Sequence, residues 1–171
     1  MRNTRGLTTF SAVLLPLILV FAAGAARADD VPAVPLDKAV IKMRLHKGVT
    51  MDDAISSMKL RANMLNMKLV AHLPLSKQIK AMGKNARRME VFQFCNPLIA
   101  QQMVESNIDF AAYLPCRIAL VEDEHGQGWL VMTNLNMIIR GGHLEPKLKA
   151  KAERVRDALM KIMKAGAGGE L

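Results

Sequence analysis

The chain has 171 residues, 51% of them hydrophobic, with 24 Lys and Arg against 15 Asp and Glu for a formal charge of +9. That length argues for one domain burying about two thirds of its unfolded surface, and against two. A basic excess of this size speaks to solubility before partners, so most of it reads as solvated surface.

The N-terminal segment predicts export. Arg2 and Arg5 precede an apolar run from Phe10 to Ala23, which is followed by Ala26-Arg27-Ala28. This is the layout of a cleavable secretory signal. The run is shorter than the roughly 20 residues of a spanning helix, so cleavage after Ala28 is expected, with no stable membrane anchor left. No twin arginine occurs, and no cysteine stands near the cleavage point to take a lipid. The mature chain would start at Asp29, with twenty-one Lys and Arg against fifteen acids and a charge of +6. A periplasmic or secreted protein rarely meets nucleic acid. Its expected partners are a small ligand, phospholipid headgroups or inorganic anions, an acidic periplasmic protein, or a second copy of itself.

Residues 29–37 carry two prolines and no periodicity, as an extended lead-in would. Ala39 to Leu45 alternates and predicts a half-buried strand. Thr50 can cap the helix that follows, with Asp52 and Asp53 at its positive end. Met51, Ala54, Ile55, Met58, Ala62 and Leu65 then recur at helical spacing. Lys68 to Leu73 predicts a second strand, ended by Pro74. The run from Ser76 to Arg88 holds Lys77, Lys80, Lys84, Arg87, Arg88 and no acid. It reads as a solvated loop that could meet an anion, and Gly83 should end any short helix in it. Arg88 to Cys95 alternates as a third strand. Asn96-Pro97 then starts a helix to about Ser106, because asparagine caps well and proline at the first position loses no hydrogen bond. Arg117 to Asp123 and Trp129 to Asn134 form a hairpin about Gly126 and Gly128. A last helix opens at Pro146, and the tail AGAGGEL from 165 to 171 should end it in disorder. An antiparallel hairpin among interspersed helices predicts an α+β class.

Cys95 and Cys116 are the only cysteines. A thiol just before a capped helix can have its pKa lowered by the helix dipole, but Cys95 also ends an apolar strand, where cysteine is usually buried and inert. The chain between the two is long enough to return to its starting level, so a disulfide, a working thiol pair and two packed sulfurs all remain open. The spacing is not a C-x-x-C redox motif. The histidines show no metalloprotease or haem-attachment spacing. Met64-x-x-Met67 and Met160-x-x-Met163 resemble thioether pairs that suit copper(I), or a non-covalent haem, although methionine also fills cores. No cofactor is predicted outright. No nucleophile elbow, phosphate loop or dinucleotide fingerprint occurs, so the expectation leans away from an enzyme.

Gly48-Val49-Thr50 before a helix, the Cys95-Asn96-Pro97 corner, and Leu114-Pro115-Cys116-Arg117 entering a hairpin strand resemble one family, the domain of unknown function 302 (DUF 302), over residues 38–164. The resemblance implies a single domain with a TBP-like α+β fold, a curved antiparallel sheet packed against helices, and no established activity. A family site at this corner would fall on Cys95, Asn96, Pro97, Pro115, Cys116 and Arg117, with Arg117 adding positive charge beside both sulfurs. The leading expectation is a non-catalytic or accessory binding domain. The rivals are a thiol-redox or sulfur-handling protein using Cys95 and Cys116, and a copper or haem carrier using Met and His.

Overall fold

The computed structural model describes residues 34–170. The expected signal 1–28 and most of the lead-in 29–37 lie outside the described residues. Five strands, β1 (Val40–Arg44), β2 (Lys68–Leu73), β3 (Met89–Cys95), β4 (Cys116–Glu122) and β5 (Gly128–Thr133), form one antiparallel sheet in the order β1-β5-β4-β3-β2.

Alternation decides which side chains face the helices. In β3, Glu90, Phe92 and Phe94 are buried while Met89, Val91, Gln93 and Cys95 between them are half-exposed. Register carries that face across the sheet. Phe92 lies opposite Ile118, which lies opposite Met132, which lies opposite Ile41. Leu120 and Leu130 continue the same face one step along. The predicted strands and the hairpin are therefore present, and the class is α+β.

Two long helices cover this face: α2 (Met51–Met64) and α6 (Pro146–Gly168). Thr50 caps α2 through a reciprocal box: its Oγ1 accepts the Asp53 N–H at 3.1 Å, and the Asp53 carboxylate accepts the Thr50 N–H at 3.0 Å. Met58, Ala54 and Ala62 of α2 meet Leu159, Ile162 and Met163 of α6 in the main core. Among the described residues no helix is long and apolar enough to cross a membrane.

The tail expectation is corrected. Helix α6 runs on through Gly168, with Ala165, Gly166 and Ala167 all buried. The small residues form a contact surface rather than a break, because a Cβ on Gly166 would lie 2.6 Å from Met58 Cγ and 3.2 Å from the Ala54 carbonyl oxygen. The helix stops at Gly169, at φ 65°, where the Glu170 N–H reaches Ala165 O and the Gly169 N–H reaches Gly166 O. That is the left-handed glycine cap expected of helix ends, displaced four residues along the chain. Glu170 itself meets Arg61 at 3.0 Å.

Short elements join the rest. A turn of helix, α1 (Leu36–Ala39), replaces the end of the expected extended lead-in. Helix α3 (Leu75–Ala81) stops just before Gly83, and α4 (Pro97–Ser106) has its expected bounds. A 3-10 turn at Ile108–Tyr113 and the helix α5 (Leu135–Gly141) are additional. Each starts on an asparagine: Asn107 Oδ1 accepts the Asp109 N–H at 2.8 Å, and Asn134 Oδ1 accepts the Asn136 N–H at 3.2 Å.

Candidate functional site

Beside the main core lies a second apolar cluster of Met103, Phe110, Ile139 and Ala152. It surrounds a cavity of about 70 Å³. Cys95 and Asn96 form its corner, because β3 ends at Cys95 and Asn96 caps α4 by accepting the Ile99 N–H at 3.2 Å. One face of α4 contributes Ile99, Ala100 and Met103. The 3-10 turn adds Phe110, Tyr113 and Leu114, while α5 and α6 close the far side with Ile138, Ile139, Ala152 and Val155. Cys116 completes the wall from the first position of β4, opposite Phe94 on the helix-facing side.

Both cysteines are free thiols. Burial pushes the Cys116 thiol up to about 11, and the neighbouring Cys95 adds to the rise, whereas a hydrogen bond at its own backbone and the charge of Arg117 offset only part of it. Burial raises Cys95 as well. The lowering that a helix start can bring to a thiol is not the direction found for Cys95, whose burial raises it. The arrangement keeps both thiols protonated near neutral pH, poor nucleophiles by themselves.

Cys95, Asn96 and Cys116 share the cavity wall; Pro97, Pro115 and Arg117 do not. Pro97 is exposed at the first position of α4, and Pro115 follows a cis peptide bond after Leu114. Arg117 is exposed on the opposite face of the sheet, across from Gln93. Its positive charge favours the thiolate of Cys116. Of the methionine pairs, Met67 and Met163 are buried in the main core, Met160 packs against it, and Met64 is 66% exposed.

A charge network escaped the sequence reading. Glu90 is only 3% exposed, and its carboxylate accepts Arg88 Nε at 2.6 Å and meets His72 Nε2 at 2.5 Å. Arg88 also donates to Asp52 at 2.6 Å, and its backbone N–H donates to Glu122 at 2.9 Å. His72 stacks on Phe92 with ring centroids 4.3 Å apart. Burial pushes the Glu90 carboxyl up, but the hydrogen bonds and charges of Arg88 and His72 more than offset it and hold it below the usual carboxylate range. The signal was present in the alternation of β3, where Glu90 shares its face with Phe92 and Phe94. Within the expected anion-binding run, Lys80, Arg87 and Arg88 line an open groove that also holds Glu122, and Arg88 there is already paired to Glu90 and Asp52.

Against known proteins, residues 41–166 match the sequence profile described as domain of unknown function DUF302. Among solved structures, the crystal structure of an uncharacterized conserved protein DUF302 from Bacillus stearothermophilus is similar, with a TM-score of 0.61 at 17% identity. The similarity covers 74% of this chain and 96% of that one. No curated protein matches the chain.

Proposed function

Because the chain belongs to the DUF302 family, which supplies a fold and no named activity, we propose that it is an exported, non-catalytic binding domain whose guest occupies the cavity at the Cys95–Cys116 corner. The observation that carries this reading is an apolar cavity of about 70 Å³ with two protonated thiols in its wall. The apolar walls and limited volume suit a small guest. Catalysis by either thiol would call for a lowered pKa in an electropositive setting. Burial works in the opposite direction at both sulfurs, which favours binding over the thiol-redox alternative. Export rests on the basic, apolar and small-residue order of residues 1–28.

Two measurements test the reading. The chain should be recovered in the periplasmic fraction with an intact mass matching a start at Asp29; a full-length mass there would end the cleavage claim, and recovery in the cytoplasmic fraction alone would end the export claim. Xenon serves as a probe for the cavity itself. Under xenon pressure the methyl resonances of Ile99, Met103 and Ile139 should shift in the wild type, and the shifts should vanish in Ala100→Leu, which fills the space. Shifts absent from the wild type, or unchanged in Ala100→Leu, would overturn the cavity as a binding site.

A further inference from the structure

The cavity brings together sulfur atoms that the sequence scatters. Cys95 arrives from the end of β3, Met103 from the middle of α4, and Cys116 from the start of β4, and all three line the same space. Both cysteines of the chain are present there, together with a thioether. We propose that the guest is a soft monovalent metal ion, copper(I), bound by the sulfurs of Cys95, Met103 and Cys116. The inference rests on the cavity reading above and names its ligand class.

The donor chemistry selects the metal. Thiolate and thioether ligands favour copper(I), whereas carboxylate, carbonyl and water oxygens suit magnesium, calcium and manganese. Among the described residues no group of three His, Cys, Asp or Glu side chains could hold a metal, so a set here has to include the methionine. A cavity of about 70 Å³ with mostly apolar walls admits an ion stripped of its water. Only strong bonds to sulfur compensate for that loss of hydration. The methionine pairs in sequence, Met64 with Met67 and Met160 with Met163, do not supply such a setting, since Met67 and Met163 pack in the main core and Met64 faces solvent.

The balance of the binding step is simple. Copper(I) enters as a monovalent cation, two thiol S–H protons leave to solvent, two copper–thiolate bonds form, and the Met103 sulfur donates a lone pair. The bound site carries one net negative charge. No electron moves, so no oxidant or reductant is required.

The test uses the mature chain, reduced and kept free of oxygen, titrated with copper(I) against the chromophoric chelator bicinchoninate. Wild type should withdraw one copper per chain. Cys95→Ser and Cys116→Ser should each weaken binding by more than about 100-fold, the upper range for loss of even a supporting group at a metal site. Met103→Leu, which conserves volume and so keeps the fold, should weaken it about 10-fold. X-ray absorption at the copper edge should show sulfur alone in the first shell. Failure of the wild type to compete, Met103→Leu and Cys95→Ser binding as wild type does, or nitrogen and oxygen ligands in the spectrum would each overturn the proposal. Xenon shifts without copper uptake would end the copper assignment and leave the cavity reading standing; loss of both would end both.

Discussion

Arg88→Ala should lower the unfolding free energy by about 3 kcal/mol, the cost of breaking a buried ion pair from one side. Glu90 is 3% exposed and faces the helices from between hydrophobic positions, so its charge depends on Arg88 and His72. With Arg88 gone, only His72 remains to the carboxylate. Asp52 sits at the far, solvent-exposed end of the same arginine, where water can replace it, so Asp52→Ala should cost much less. Urea unfolding of the two variants checks the order, and an equal loss in both would show that Glu90 is not the group at stake. Acid gives an independent readout. Because the folded carboxyl of Glu90 titrates below its unfolded value, its stabilising contribution is complete above the ordinary Glu range of about 4.3 and fades as pH falls through the lower, folded value. The melting temperature of wild type should therefore fall more steeply with acidification below about pH 4.5 than that of Glu90→Gln.

Gly166 carries the second large effect, and its sign runs against intuition. Replacing glycine by alanine inside a helix ordinarily gains about 1 kcal/mol. Here the new Cβ would stand 2.6 Å from Met58 Cγ, 3.0 Å from Leu130 Cδ1 and 3.2 Å from a backbone oxygen of α2. Helix α6 would have to move off α2. Gly166→Ala should destabilise, and Gly166→Val should cost about 3 kcal/mol, the upper range for overpacking a core. Gly168 is the control, since a Cβ there meets only the side chain of Glu170, at an ordinary contact distance of 3.5 Å; Gly168→Ala should hold or slightly raise stability. Thermal unfolding of the three variants decides it, and a Gly166→Ala protein more stable than wild type would refute the close α2–α6 contact.

The site and the scaffold answer to different requirements. Stability is concentrated where α2 and α6 cover the sheet and where Arg88 neutralises Glu90. The cavity lies to one side, in the smaller cluster of Met103, Phe110, Ile139 and Ala152. Ala100→Leu and changes at Cys95 or Met103 fall outside the main core, whereas Cys116 packs against it, so the first three variants separate binding from folding.

Local patterns determined most of the elements. Alternation in MEVFQFC set the faces of β3, Thr50 and Asn96 with Pro97 marked the starts of α2 and α4, and the glycines between Glu122 and Trp129 made the hairpin. These features depend on residues within a few positions of one another, where periodicity and capping act. What the tertiary structure decided depends on distant residues meeting. The glycine-rich tail became a packed helix because Met58 and Ala54 lie against it, and Glu90 stayed charged in the core because Arg88 and His72 reach it. The cavity wall draws on segments from Cys95 to Val155, so only the fold could show that Cys95, Met103 and Cys116 share one space. Burial, which raised both thiols, is likewise a property of what packs around a residue, and no spacing along the chain encodes it.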